Sequence, residues 1–204
     1  MNAIILAAGV GLRMREIAQK GHKALLPIGD NTIIERTIQH LLEANITDIT
    51  IVTGHKREMF ASFEKTYGVQ LVYNRKYSLN NNLRSLEMVL DRIGDTFIIH
   101  ADVVLYKNIF KNEEKNTFFY TILKESKGIP LLHPVVNKHR IIQDIETYAG
   151  PNEVTTLLGV CFWAKEDVVY LKDFFTNEVD EKLKKKFHCE WESIVLRLKD
   201  VFPI

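Results

Sequence analysis

Apolar positions follow two rhythms along the first half of the chain. Ala3–Leu6 is an unbroken apolar run that gives way to Ala7-Ala8-Gly9-Val10-Gly11. A run without polar alternation suits a strand covered on both faces. From Asn31 the spacing changes. Ile34, Ile38, Leu41 and Leu42 recur at helical intervals, with Asp30 or Asn31 placed to cap the start. Ile49–Val52 predicts a second strand ending at Gly54, residues 56–66 a helix, and Val69–Tyr73 a third strand. Leu83, Leu86, Val89, Leu90 and Ile93 predict another amphipathic helix, and Thr96–Ile99 a fourth strand. This alternation predicts a parallel sheet with helices on both faces. In the second half, Thr117–Leu123, Leu131–Val136, Arg140–Asp144 and Val154–Trp163 predict strands at looser spacing. Helices are expected near 166–175, 179–187 and 190–199. No internal repeat or linker-like stretch interrupts the chain, so one domain is expected.

Composition narrows the partners. The 204 residues are 46% hydrophobic, enough for one sizeable core. Lys+Arg (27) nearly balance Asp+Glu (26), for a formal net charge of +1. That balance gives no support for a general nucleic-acid or membrane-surface binder, so any basic function is local. Cys161 and Cys189 form no CxxC pair, which fits a reducing compartment. No leader pattern is present and no apolar run approaches the ~18 residues of a membrane span. A soluble cytoplasmic protein is expected.

The candidate chemistry begins where the first strand ends. In an open α/β sheet, ligands sit at the carboxyl ends of the strands. Glycines there let backbone N–H groups approach a phosphate without interference from Cβ. Arg13 and Lys23 add two positive charges. The stretch is neither a GxxxxGK[ST] loop nor a full GxGxxG fingerprint. Taken alone, it serves equally as a tight turn beside a solvated Arg and Lys. Asp102, at the end of the fourth predicted strand, points toward the same end of the sheet. The Asn80-Asn81-Asn82 cluster fits a helix N-terminus. Tyr106, Tyr148, Trp163 and Trp191 are aromatics able to face a cation, and packing is the alternative for each.

The string Ile4-Ile5-Leu6-Ala7-Ala8-Gly9-Val10-Gly11-Leu12-Arg13, with Lys23-Ala24-Leu25-Leu26 downstream, resembles the opening of the nucleotidyltransferases that activate sugars and small phosphorylated alcohols. Further segments resemble the bacterial CTP:phosphocholine cytidylyltransferases within that superfamily. They are Tyr73–Tyr77, Asn81–Leu86, His100-Ala101-Asp102 with Tyr106-Lys107-Asn108, Gly159–Trp163 and Glu190-Trp191-Glu192. The resemblance implies a Rossmann-like three-layer α/β/α sandwich with a mostly parallel mixed central sheet. It implies transfer of CMP from CTP to a small phosphorylated or phosphonylated acceptor, with phosphocholine the first choice and pyrophosphate released. Arg13 and Lys23 would be catalytic. Leu6, Ala7, Ala8, Gly9, Gly11, Arg13, Lys23, Asn81, Ser85 and Ala101 would line the nucleotide. Asp102 and Glu192 would hold Mg²⁺, and Tyr106, Trp163 and Trp191 would face the acceptor. Residues up to about 110 would bind nucleotide and the rest the acceptor, in a monomer or homodimer associated with cell-surface polysaccharide synthesis.

The chain departs from the family pattern in places. Leu12 stands where Ser or Thr is common, His22 where proline precedes the lysine, and Glu192 where Asp is usual. The segment Ser126–Leu131 carries no aromatic, although the choline subgroup places one there. Alternatives are a sugar-1-phosphate or 2-aminoethylphosphonate nucleotidyltransferase, and a non-catalytic nucleotide-binding relative.

Overall fold

The structure, a computed structural model, describes residues 1–11, 21–78 and 82–177. Its centre is β1 (Asn2–Ala7), which lies between two parallel neighbours, β4 (Ile49–Thr53) and β6 (Thr96–His100). The register pairs Leu6 with Val52 on one side and with His100 on the other. Alternate β1 side chains enter two different cores, which explains why its apolar run is unbroken. Ala3, Ile5 and Ala7 join one core, and Ile4 and Leu6 the other.

Beyond β4 lies β5 (Gln70–Tyr73), also parallel. On the opposite side, β10 (Glu153–Trp163) pairs antiparallel with β6, and β7 (Phe118–Glu125) pairs antiparallel with β10. The order β5-β4-β1-β6-β10-β7 is therefore a mostly parallel mixed sheet. Helix α1 (Ile33–Glu43) packs Ile34, Ile38 and Leu41 on one face, beside Phe63 of α2 (Ala61–Tyr67). Helices α3 (Asn82–Glu87) and α4 (Val168–Asn177) bring Leu83, Leu86, Leu171 and Phe174 to the other. The three layers are those expected. Two small antiparallel pairs complete the described chain: β2 (Pro27–Ile28) with β3 (Asn31–Thr32), and β8 (Leu131–Val136) with β9 (Ile142–Tyr148).

Local chemistry moves several boundaries. Neither Asp30 nor Asn31 caps α1. Thr32 does, in a reciprocal box in which Glu35 Oε2 accepts the Thr32 N–H at 2.8 Å. The predicted helix over 56–66 opens as a 3-10 turn, Arg57–Phe60, before α2 begins. The predicted helix through Ile93 stops at Glu87 and resumes as the 3-10 turn Leu90–Arg92. Both helix types bring residues three apart to one side, so the same apolar spacing serves either. The strand expected from Arg140 starts at Ile142, because Arg140 has φ 63° in the turn that closes on Asn137. The helices expected over 179–187 and 190–199 lie outside the described residues. Among those residues, no helix is long and apolar enough to cross a membrane.

One glycine at a strand end is required by packing alone. A Cβ on Gly54 would stand 2.6 Å from the Ala8 carbonyl and 2.6 Å from Tyr77 Cβ. Gly9 is the opposite case, since a Cβ there would meet nothing within 4 Å. Gly54→Ala is expected to cost about 1–3 kcal/mol by overpacking. Gly9→Ala is expected to stay within about 0.5 kcal/mol of the parent. Urea unfolding of the two variants measures both.

Candidate functional site

The chain leaves β1 for β4 and β5 on one side, then returns to β6 on the other, so β1 marks the point where strand order reverses. The crevice at its carboxyl end is where an open sheet of this kind takes ligands. Hydrogen bonds beyond the regular ladder tie four strand ends together there. His55 N–H donates to the Ala8 carbonyl at 3.1 Å, Ala101 N–H to the Leu6 carbonyl at 3.2 Å, and Asn74 N–H to the Thr53 carbonyl at 2.8 Å.

Two opposite charges meet over this platform. Lys23 Nζ lies 2.8 Å from Asp102 Oδ2, with the side chains 23% and 39% exposed. Lys23 opens a 3-10 turn, Lys23–Leu25, and Asp102 follows β6. Burial alone would raise the Asp102 carboxyl. The Lys23 charge and hydrogen bond, helped by His100, outweigh it and hold the carboxyl below its ordinary value. Gly11 has φ +69° and packs on the Lys23 stem, its Cβ position 3.5 Å from Cδ, so only glycine fits without strain. Gly9 needs no such explanation from the chain's own packing. It leaves bare backbone facing open space at the end of β1.

His22, immediately before Lys23, is 2% exposed. Its Nδ1 accepts the Ala24 N–H at 3.2 Å and so caps the turn that carries the lysine. Burial, then Lys23, then His55 push the imidazole down to about 4, against the upward pull of the Ala7 and Gly9 carbonyls.

The expected site residues divide clearly. Lys23, Asp102, Gly9 and Gly11 converge. Leu6, Ala7, Ala8 and Ala101 are buried, and backbone groups of Leu6, Ala8 and Ala101 are taken up in the bonds that join the strand ends. Ser85 is only 2% exposed, and its hydroxyl accepts from Asn74 Nδ2 at 3.0 Å. It braces α3 against the end of β5 and does not present a hydroxyl to the cleft. Trp163 is 0% exposed and pairs with Thr96 at the far end of β6 from Asp102. The antiparallel direction of β10 carries it away from the site, so it is core and not an acceptor contact. Tyr148 folds over its own turn, its hydroxyl taking the Asn152 N–H at 3.3 Å. Tyr106 is 84% exposed on the loop after Asp102. Arg13, Asn81, Trp191 and Glu192 lie outside the described residues.

Four further residues shape this end of the sheet: Asn82, His100 and Gly159, which sit in the quoted motifs without an assigned site role, and Arg36, which no motif includes. Asn82 Nδ2 lies 3.3 Å from His100 Nε2, linking the start of α3 to β6. His100 stands two residues before Asp102, and period-2 spacing was the signal for it. Gly159, φ +86°, makes room for that ring, since a Cβ there would lie 3.0 Å from His100 Nδ1. Arg36 of α1 holds the loop after Asp102, donating to the Leu105 carbonyl at 2.9 Å and the Tyr106 carbonyl at 3.1 Å. Nothing in the sequence ties Arg36 to residues so far along the chain.

A three-layer α/β fold with a bare glycine turn, a lysine and a carboxylate at the strand switch is suited to receive a phosphorylated ligand. Comparison with known proteins agrees, and residues 3–161 match the MobA-like NTP transferase domain. The chain belongs to that family. It is 36% identical over 197 residues to a choline-phosphate cytidylyltransferase of Haemophilus influenzae, covering 95% of this chain and 82% of the relative. It is 34% identical over 123 residues to a 2-aminoethylphosphonate cytidylyltransferase of Lancefieldella rimae, covering 58% of this chain and 50% of the relative. The solved structure of CTP:phosphocholine cytidylyltransferase from Streptococcus pneumoniae superposes with a TM-score of 0.86 at 28% identity, over 100% of this chain and 87% of that one.

His22 makes stability depend on pH. Unfolded, it takes up a proton below its ordinary 6.5, whereas folded it resists down to about 4. In that window the unfolded state binds more protons. The stabilisation is complete above the upper value and is lost as pH falls toward the lower one. Urea unfolding at about pH 7.5 and about pH 4.5 is expected to show a His22→Asn variant losing roughly 2–3 kcal/mol less than the parent.

Proposed function

We propose that the protein is a cytidylyltransferase that transfers CMP from CTP to a small phosphorylated or phosphonylated acceptor. An acceptor oxygen forms a new bond to the α-phosphorus, and the bond from that phosphorus to the bridging oxygen breaks, releasing pyrophosphate. The attacking oxygen is already anionic, so no strong general base is needed. The observation that carries this reading is the Lys23–Asp102 pair at 2.8 Å over the glycine turn. Lys23 supplies positive charge where it grows negative on the α-phosphate and the leaving group. The backbone at Gly9 and Gly11 receives phosphate oxygens, with Arg13 adding a second cation. Residues up to about 110 serve the nucleotide, and the remainder the acceptor.

Asp102 fits a hard divalent cation: it is a partly exposed carboxylate held ionised at the strand switch. Mg²⁺ takes one or two carboxylates and completes its shell with phosphate oxygens and water. Asp102, with Glu192 as the second ligand, would hold it. When bound, the ion would neutralise phosphate charge.

Phosphocholine is the first acceptor, on the family relationship. A second reading, 2-aminoethylphosphonate, draws on the aromatic inventory. The turn between β7 and β8 closes through Ser126 Oγ on the Ile129 carbonyl at 2.8 Å and carries no aromatic. With Trp163 buried, Tyr106 is an exposed aromatic able to face a quaternary ammonium.

Pyrophosphate release, measured with Mg²⁺ across four NTPs and a panel headed by phosphocholine and 2-aminoethylphosphonate, tests the reading. Release with CTP and one of these acceptors is expected. CTP binding without release from any pair would instead indicate an acceptor outside the panel or a non-catalytic relative. Within the active pair, Lys23→Ala is expected to lower kcat by about 100-fold while leaving CTP affinity within a few-fold. Asp102→Asn is expected to abolish metal-dependent turnover. Steady-state kinetics with a separate CTP titration distinguishes the two effects.

A further inference from the structure

Lys23 can serve the α-phosphate only if its backbone is held in place, and the hold comes from the residue before it. The His22 carbonyl accepts the Leu25 N–H at 2.9 Å, and His22 Nδ1 accepts the Ala24 N–H at 3.2 Å. Main chain and side chain of one residue thus close the turn from both sides. The far end is tied to α1, where the Ile33 N–H donates to the Leu26 carbonyl at 3.0 Å. The ring itself is wedged. It stands edge-on to Phe60, centroids 4.9 Å apart at 79°, and faces the His55 ring at 6.4 Å. Phe60 is fully buried.

The hydrogen bond at Nδ1 assigns the proton to Nε2, because Nδ1 is the acceptor. Among the described residues, Nε2 of His22 and Nε2 of His55 are both buried without a well-formed hydrogen bond, although the Ala7 and Gly9 carbonyls act on the His22 ring. A buried polar atom of this kind is rare enough to need a reason. Here two occur together beneath the glycine turn. Among the described residues, the charged and titratable groups facing His22 are cationic or basic: Lys23 on the same turn and His55 after β4. Lys56, nearby, reaches the Gly21 carbonyl at 3.4 Å. A proton on Nδ1 would set donor against donor at the Ala24 N–H and add a cation beside Lys23.

We propose that His22 is a positioning residue for nucleotidyl transfer: its neutral imidazole caps the turn that aims Lys23 at Asp102 and forms the uncharged floor of the glycine turn. The proposal rests on the reading that Lys23 acts in the transfer. His22 touches neither substrate nor reacting atom and works through Lys23 alone. The Asn oxygen can reproduce the cap, since an Asx turn accepts an N–H two residues on, whereas Ala cannot.

The full chain is assayed as His22→Ala and His22→Asn by steady-state pyrophosphate release, with CTP binding measured calorimetrically. His22→Ala is expected to lose about 10- to 100-fold in kcat, with CTP affinity within about threefold, because a misaimed group costs rate more than binding. His22→Asn is expected to recover most of that loss. Imidazole ¹⁵N spectra of the parent are expected to show the Nε2–H tautomer, neutral down to about pH 5. Unchanged kcat in a folded His22→Ala, equal losses in both variants, or a parent ring already protonated near pH 6 would overturn the proposal. If His22→Ala does not fold, a loss in His22→Asn as large as tenfold overturns it. Crystal structures keep the test independent of turnover. Lys23 Nζ should stay paired with Asp102 in His22→Asn and move beyond about 4 Å in His22→Ala. A parent that releases no pyrophosphate overturns the activity reading, and the Lys23–Asp102 distances still decide the role of His22.

Discussion

The first strand has no solvent face and no free edge, and the rest of the molecule follows from that constraint. β1 is paired on both sides and buried above and below, so its side chains must be apolar in both directions and its backbone fully committed to the ladder. The chain can become available to a ligand only after the ladder ends. It ends at the point where strand order reverses, between the ends of β4 and β6. Those neighbours lean on the same place: Gly54 presses against the Ala8 carbonyl, and Ala101 bonds back to Leu6. The glycine turn is thus an opening in an otherwise closed packing arrangement.

Around that opening, charge is distributed with little slack. Lys23 and Asp102 compensate one another at 2.8 Å while each remains partly exposed. A pair in such a position contributes little to stability by itself. Its value is chemical, since it sets an ammonium beside a carboxylate held below its ordinary value at the carboxyl end of the sheet. The imidazoles of His22 and His55 add polar bulk below it. Burial disfavours protonation of His22, and the neighbouring lysine disfavours it further. A cap that depends on a neutral ring differs from one built on a proline, which has no side-chain acceptor. At His22 the turn that carries Lys23 is closed by a side-chain acceptor.

The second half of the chain is organised by strand direction. Because β10 runs antiparallel to β6, its glycine at 159 lies beside His100 near the site while its tryptophan at 163 lies deep in the opposite core. A motif that is continuous in sequence is thus split, with one end at the chemistry and the other in the packing. The turn after β7 offers no aromatic side chain, and Tyr106 is exposed on the loop that follows Asp102.

Much of this was legible in the residues. The unbroken apolar run, the helical spacings and the strand–helix alternation determined a layered sheet, because period and burial are local consequences of side-chain chemistry. The glycines, Lys23 and Asp102 were identifiable as a group because strand ends collect on one side of a parallel sheet. Other features were not legible. The cap on α1 fell to Thr32 through a reciprocal bond with Glu35, and the helix through Ile93 broke where 3-10 and α spacing coincide. Ser85 was absorbed by Asn74, Trp163 was turned into the core, and Arg36 was joined to a loop almost seventy residues away. These outcomes depend on which segments meet across the sheet and in which direction. Spacing along one chain carries no record of that, so tertiary structure alone decided them.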